Sequence, residues 1–171
     1  MNMHTTTTAT KIPSAHRCQL DQARLRYDNE RPLPQSAREE KLRLIAQQLC
    51  MAENPKQLGA YGERYAAAWL ELQGWYVLER NWRTRFGELD IIMLDPKHTV
   101  VFVEVKTRRS TRQGLPQEAV TSNKQANLRH AALAWLHEVD HRISNNGLRF
   151  DVITNIVGRK EVSTRHIKEA F

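Results

Sequence analysis

Two consecutive β-rich segments constrain the fold of this chain more than any other feature. They cover residues 88–94 and 99–106, and the turn-forming residues Asp95-Pro96-Lys97-His98 separate them. Two such segments joined by a short polar connection predict an antiparallel β-hairpin. The chain therefore has a strand pair near its centre, around which the rest of the domain must pack.

The predicted hairpin brings carboxylates together. If it folds about the middle of its turn, Asp90 lies opposite either Val103 or Glu104, and the pattern leaves both registers open. Opposed side chains have Cβ atoms roughly 5 Å apart, and two carboxylates at about 4 Å repel by about 4 kcal/mol at an effective dielectric of 20. Mg²⁺ or Mn²⁺ would remove this repulsion, since Mg²⁺ uses one or two carboxylates, waters and phosphate oxygens. Asp90 and Glu104 therefore predict a metal site suited to phosphodiester chemistry.

Lys106 is the third candidate catalytic residue of this group. Residues two apart on a strand share a face, so Lys106 projects on the same side as Glu104. An ammonium group there can orient an attacking water and stabilise negative charge at phosphorus. The alternative is a surface strand with ordinary outward charges. The apolar neighbours Phe102, Val103 and Val105 favour a buried strand and thus a functional site.

Glu63 is a further candidate catalytic and metal-binding residue, on a different element. From Asn54 onward, apolar residues recur every three or four positions until Gly74, which predicts a helix. Glu63 leads an apolar ridge of this helix and so needs a partner. It is either a ligand of the metal or a solvated helix charge that pairs with Lys56 or Arg64, and both interpretations stay open.

Basic residues follow the carboxylates closely. The chain has 26 lysines and arginines against 19 acidic residues, a formal charge of +7, which favours polyanionic partners. Arg108, Arg109 and Arg112 lie in the loop after the hairpin, and Lys124 lies at the start of the next predicted helix. An arginine-rich loop is often only solvated, but its proximity to the carboxylates predicts that these four residues bind nucleic acid phosphates.

The N-terminal part, residues 1–55, is predicted to be a largely flexible extension. It contains the low-complexity run Thr5 to Thr8 and a later proline-rich stretch, and neither sustains a helix or a central strand. A capping box formed by Ser36 and Glu39 nevertheless predicts a helix over residues 37–52.

Residues 56–171 are predicted to form one α/β domain, with a mixed central sheet flanked by helices. Besides the hairpin, a short strand is predicted at residues 75–78. A second capping box, Ser122 with Gln125, predicts a helix that continues to about Val139.

The composition excludes several classes of protein. Cys18 and Cys50 do not form a CxxC pair, so neither a disulfide framework nor a cysteine zinc site is expected. The chain has no run of 18 apolar residues and no apolar N-terminal segment of a secretory signal. We therefore expect a soluble cytoplasmic protein without a membrane partner, and both a monomer and a homodimer remain open.

Six short motifs lie along residues 57–171: Gly59-x-x-Gly62-Glu63, Asn81-x-Arg83, Gly87-Glu88-x-Asp90-Ile91-Ile92, Phe102-Val103-Glu104-Val105-Lys106, Arg149-Phe150-Asp151 and Ala170-Phe171. This pattern closely resembles the uncharacterised YraN-like family of bacterial proteins. That family is similar to the PD-(D/E)xK nuclease superfamily, which has a restriction-endonuclease-like fold akin to archaeal Holliday junction resolvases.

The resemblance implies specific roles for the candidate residues. Asp90 matches the acidic residue of the second core strand, Glu104 and Lys106 match the E-x-K pair, and Glu63 matches the first-helix glutamate. Leu89 stands where the superfamily motif has proline. The implied activity is Mg²⁺-dependent endonuclease cleavage of DNA, with branched or structured DNA as the leading substrate. The alternative is a non-catalytic nucleic-acid-binding module that retains the same fold.

Overall fold

The computed structural model describes residues 33–109, 121–138, 141 and 143–171, which contain three α-helices and five β-strands. None of these helices has both the length and the apolar character needed to cross a bilayer. In chain order the elements are α1 (Gln35–Cys50), α2 (Pro55–Leu72), β1 (Tyr76–Thr84), β2 (Gly87–Leu94), β3 (Val100–Arg108), α3 (Ser122–His137), β4 (Leu148–Val157) and β5 (Val162–Ile167).

The five strands form one mixed sheet in the spatial order β1-β2-β3-β4-β5. Strands β3 and β4 are parallel, and the other neighbouring pairs are antiparallel. Parallel neighbours need a long crossover connection, and α3 lies within the segment that joins β3 to β4. The predicted α/β fold with a mixed central sheet is confirmed, and it is consistent with a restriction-endonuclease-like arrangement.

Both faces of the sheet are covered. Successive residues of β3 point to opposite faces, so Val103 packs against α2 while Phe102 packs against α3. Because β3 is buried on both sides, it is apolar without interruption until Glu104. The α2 side of the core includes Ala66, Ala67, Leu70, Ile91 and Ile153, and the α3 side includes Leu128, Ala131, Trp135, Ile92 and Val152.

The central hairpin is confirmed, and its register is one of the two predicted. Ile91 pairs with Val103, so continuing the register sets Asp90 opposite Glu104. The short strand predicted at residues 75–78 was wrong in its length, because β1 continues to Thr84. The second half of β1 carries several charged residues, as edge strands commonly do, and these hid the strand pattern.

Both predicted capping boxes were wrong, although both helices are present. Helix α1 begins at Gln35 after Pro34, without a side-chain cap, so Ser36 lies inside the helix. Helix α3 is capped by Thr121, whose side chain accepts a hydrogen bond from the backbone N of Lys124 at 3.3 Å. Serine and threonine are both favoured N-cap residues, so the sequence alone does not decide between the adjacent Thr121 and Ser122.

Helix α1 packs against the domain rather than extending away from it. Ile45 and Leu49 are buried against Tyr65, Ala68 and Val157. The predicted boundary at residue 55 therefore crosses an apolar contact. Of the predicted extension, residues 1–32 lie outside the described residues.

Replacement of Leu49 by alanine tests how much this contact stabilises the fold. Leu49 is 0% exposed, so Leu49→Ala should lower the free energy of unfolding by about 2–4 kcal/mol. Leu44, on the same helix, is 48% exposed, and Leu44→Ala should change it by less than about 0.5 kcal/mol. Urea denaturation measures both. Equal, small effects would show that α1 is dispensable for stability.

Candidate functional site

The site begins where β2 and β3 carry Asp90 and Glu104 side by side. Asp90 Oδ2 accepts a hydrogen bond from the backbone N of Val105 at 2.8 Å. The Asp90 carboxylate thus accepts a hydrogen bond from a backbone N–H of β3 that could otherwise donate to a carbonyl of the neighbouring strand. This bond fixes the Asp90 carboxylate against β3, next to Glu104.

Glu104 is almost completely buried, and its two carboxylate oxygens have different surroundings. Oε1 lies 2.6 Å from Lys106 Nζ and 3.4 Å from Lys124 Nζ. Oε2 is buried and has no hydrogen-bond partner among the described residues. A buried polar atom without a partner is costly, on the order of 1–3 kcal/mol. Glu104 therefore keeps one coordination position open.

The electrostatics of Asp90 also favour a cation. Burial, followed by the charge of Glu104, raises the pKa of Asp90 to about 7. The Val105 N–H and the charge of Lys124 act in the opposite direction and do not cancel the rise. A divalent cation bound between Asp90 and Glu104 Oε2 would relieve both the repulsion and the unsatisfied oxygen. These two carboxylates fit Mg²⁺ or Mn²⁺ as ligands.

Glu63, the third predicted carboxylate, projects from α2 towards β1. Its Oε2 accepts a hydrogen bond from Asn81 Nδ2 at 2.6 Å, so its partner is neither of the two basic residues considered from sequence. Its charge is one of the smaller contributions to the raised pKa of Asp90. Among the described residues, no three His, Cys, Asp or Glu side chains are grouped closely enough to hold a metal. The role of Glu63 as a ligand stays a prediction.

A close approach between α2 and β3 positions Glu63. The adjacent residue Gly62 touches Thr107, and a Cβ placed on Gly62 would lie 2.7 Å from the Thr107 Cβ. Asn155, fully buried on β4, donates from Nδ2 to Gly62 O at 3.1 Å and to Thr107 Oγ1 at 3.4 Å. Its Oδ1 accepts from Thr164 Oγ1 at 3.0 Å. Only glycine allows α2 this close to the sheet.

The predicted basic residues take different places. Lys124, in the first turn of α3, pairs with Glu104 itself. Arg109 donates hydrogen bonds to the carbonyls of Cys50 and Ala52 at the end of α1. Arg108 is half-buried at the end of β3, and Arg112 lies outside the described residues. Among the described residues at the carboxylate pair, Lys106 and Lys124 provide the nearest positive charges.

Two residues that sequence reasoning did not assign to the site, Arg80 and Asn81, lie on β1 next to the strand position of Asp90. Asn81 has a left-handed backbone, with φ 53°, a conformation that asparagine tolerates better than most residues. Arg80 pairs with Ile91 and Trp82 pairs with Leu89, so Asn81 lies opposite Asp90. The motif Asn81-x-Arg83 indicated that this segment matters, but it could not show that Asn81 would hydrogen-bond to Glu63 on α2.

A second buried charge cluster provides a contrast. Asp151, fully buried, accepts from Arg149 Nε at 2.8 Å, lies 2.8 Å from His166 Nε2, and accepts from the backbone N of Glu169 at 3.1 Å. Burial raises the pKa of Asp151, but the hydrogen bonds from His166, Arg149 and Glu169 outweigh burial and hold it below its usual value. Because its carboxylate oxygens are satisfied, this cluster is structural, unlike Glu104.

Comparison with known proteins identifies a protein family for this chain. The model of the uncharacterised protein family UPF0102 matches residues 62–154. A UPF0102 protein of Bifidobacterium longum is 56% identical over 117 residues, which cover 68% of this chain and 94% of that relative. A UPF0102 protein of Syntrophomonas wolfei is 43% identical over 116 residues, covering 68% and 98%. One of Geobacter metallireducens is 46% identical over 121 residues, covering 71% and 97%.

Asp90→Asn should stabilise the metal-free protein at alkaline pH. The pKa of Asp90 rises from 3.8 to about 7 on folding, so its favourable contribution is complete below pH 3.8 and is lost as the pH rises through 7. Asparagine keeps the acceptor for Val105 but cannot ionise. We expect a gain of about 1–4 kcal/mol at pH 8 that vanishes near pH 4, measured by urea denaturation.

Mg²⁺ provides the control for this variant. Excess Mg²⁺ at pH 8 should raise the unfolding midpoint of the wild type and leave Asp90→Asn unchanged, because bound ligand stabilises only the protein that binds it. An equal response of both proteins would argue against Asp90 as a metal ligand.

Gly62→Ala tests the close approach that positions Glu63. Its Cβ would collide with the Cβ of Thr107, so rotation of the threonine side chain cannot relieve the clash. We expect a loss of about 1–3 kcal/mol in the free energy of unfolding. Gly59, on the same helix, has open space within 4 Å of the position that an added methyl group would take, and Gly59→Ala should be neutral or stabilising by up to about 1 kcal/mol. Similar effects of the two substitutions would contradict the packing.

Proposed function

The chain belongs to the uncharacterised protein family UPF0102, and we propose that it is a Mg²⁺-dependent endonuclease that hydrolyses phosphodiester bonds in DNA. The main support for this proposal is the environment of the Glu104 carboxylate. The buried carboxylate of Glu104 has one oxygen without a partner and the other against Lys106, directly beside Asp90. This is the arrangement that metal-assisted phosphodiester hydrolysis needs: two ligands and a cation at one position.

Asp90 and Glu104 would hold the ion. When bound, Mg²⁺ or Mn²⁺ would polarise the phosphate and lower the pKa of a water to provide the nucleophile. The Val105 N–H holds the Asp90 carboxylate in place, so little side-chain freedom is lost on binding. This preorganisation is what a rigid strand pair can supply and a loop cannot.

Lys106 would act on the reacting atoms. Its ammonium is 2.6 Å from Glu104 Oε1, which limits where it can point and leaves further donor positions on the same nitrogen. Those N–H groups would orient the attacking water and stabilise charge that develops on the phosphate oxygens. Lys124 adds a second positive charge from the first turn of α3, where the helix end also favours anions.

The substrate class is inferred from charge and from the family resemblance. The formal charge of +7 favours binding of a polyanion. The similarity of the motifs to Holliday junction resolvase-like nucleases supports branched or otherwise structured DNA as the substrate to test before linear duplex.

A second candidate function, a non-catalytic nucleic-acid-binding module, has its own support. Lys106 and Lys124 both neutralise Glu104, and no group of three metal-ligating side chains occurs among the described residues. In that case the carboxylates would be structural partners of the lysines. The unpartnered Glu104 Oε2 is the observation that this alternative leaves unexplained.

Lys106→Ala separates the two functions. We expect cleavage of linear, flapped and four-way DNA in Mg²⁺ or Mn²⁺ to fall by at least about 100-fold, with DNA affinity changed by less than about 3-fold. Lys97→Ala, in the exposed turn of the central hairpin, is the matched control and should retain wild-type rates. Tight DNA binding by the wild type without cleavage of any substrate, in either metal, would favour the binding module.

A further inference from the structure

A second feature of the molecule adjoins the carboxylate pair: an open cleft of about 550 Å³ between α2 and β1. Its walls carry two arginines, Arg64 from the helix and Arg80 from the strand. We call it the arginine cleft, lined by Ala60, Glu63, Arg64, Glu79, Arg80 and Asn81. Because the carboxylate pair lies on β2 and β3, the cleft is a separate feature that shares only Glu63 with the candidate catalytic residues.

The two acidic residues that line the arginine cleft each accept a hydrogen bond, which fixes their orientation and leaves their charge in place. Glu63 accepts the hydrogen bond from Asn81, and Glu79 accepts one from Trp135 Nε1 at 2.6 Å, inside the core. Arg64 and Arg80 are close enough that their like charges act on each other. The cleft therefore presents two guanidinium groups whose mutual repulsion an anion would reduce.

Arg80 is the more constrained of the two arginines. Its Nε is buried and has no hydrogen-bond partner among the described residues. Burial lowers the pKa of Arg80, the charge of Glu63 raises it, the charge of Arg64 lowers it, and the charge of Glu71 raises it. An arginine nevertheless stays protonated at neutral pH. A charged group with an unsatisfied buried donor is costly, and the fork of a guanidinium matches the geometry of phosphate oxygens.

The position of the arginine cleft points to a nucleic acid strand as the source of the anion. The left-handed Asn81 lies across from Asp90 in the strand register and ties Glu63 to β1. The cleft and the carboxylate pair therefore meet at Asn81. A DNA strand that presents one phosphodiester to the carboxylates would carry a neighbouring phosphate past this opening.

We propose that the arginine cleft binds a backbone phosphate of DNA through Arg80 and Arg64, adjacent to the phosphodiester at the carboxylate pair. The identity of this ligand rests on the proposed function. Such a contact holds the strand in register without reading its sequence. It would give the candidate nuclease a positioning contact on α2 and β1, in addition to the positive charge of Lys124 on α3.

The experiment measures DNA affinity without cleavage. Binding of a fluorescently labelled four-way DNA is followed by anisotropy in EDTA over a series of salt concentrations. Arg80→Gln is expected to weaken binding by about 5-fold or more and to reduce the slope of log K against log salt by about 0.9, one phosphate contact. Arg80→Lys keeps the charge and should retain most of the slope, with a weaker affinity.

Arg43→Gln is the matched control. Arg43 is exposed on α1 and pairs with Glu40, so its loss should change affinity by less than about 2-fold. Circular dichroism checks that each variant is folded. If Arg80→Gln fails to fold, Arg64→Gln decides the question, because Arg64 lies on the surface of α2 and should lower the affinity and the slope in the same way.

Failure of this inference can be distinguished from failure of the proposed function. Cleavage by the wild type, with unchanged affinity and salt slope in the folded arginine variants, would overturn the proposal that the cleft binds a phosphate. The proposed nuclease activity would stand. DNA binding that depends on Arg80 and Arg64, without cleavage in Mg²⁺ or Mn²⁺, would support the cleft and reject the nuclease. Absence of DNA binding by the wild type would overturn the inference outright.

Discussion

The side chain of Asn155 holds the architecture of the site together. It donates to the carbonyl of Gly62 and to Thr107, and it accepts from Thr164, so one buried amide joins α2, β3 and β5. Its amide is removed from water, and loss of any partner would leave polar groups unsatisfied. The bridge sets how near α2 lies to the sheet. The placement of Glu63, its hydrogen bond to Asn81 and the shape of the arginine cleft all depend on that distance.

The clusters around Asp151 and Asp90 show how structural and functional polar groups differ. Around Asp151, three donors converge on both carboxylate oxygens, and the pKa of the carboxyl falls. Around Asp90, burial and a neighbouring carboxylate raise the pKa, and Glu104 retains an unpartnered oxygen. The carboxylate of Asp151 thus finds all its partners within the fold, whereas the negative charges of Asp90 and Glu104 are only partly compensated. Incomplete compensation of buried charge is costly and therefore indicates a ligand rather than a structural role.

Edge strand β1 and helix α1 add to what the central hairpin provides: β1 adds polar residues next to the site, and α1 adds an apolar contact and acceptors for Arg109. Strand β1 supplies Arg80 and Asn81 at the border of the site, and its left-handed residue Asn81 lies opposite Asp90. Helix α1 covers an apolar part of α2 and β4, and its last carbonyls receive Arg109. A side chain expected to contact phosphate from sequence thus has a structural partner within the same chain. Positive charge alone does not show which arginines face a ligand.

Local patterns in the sequence were sufficient for the central hairpin, the helix from Pro55 and the common face of Glu104 and Lys106, because helical periodicity, strand alternation and a short turn determine them. They left two registers for Asp90, and the pairing of Ile91 with Val103 decided between them. The exact caps were not, since neighbouring hydroxyl residues carry the same signal. Contacts between α2 and β1 decide the partner of Glu63 and form the arginine cleft, and they bring in the left-handed Asn81 opposite Asp90. No periodicity within either segment encodes these contacts. Sequence alone therefore determined which chemical groups the central strands carry. Tertiary packing decided which of those groups remain unsatisfied, because satisfaction depends on partners that are distant in the chain.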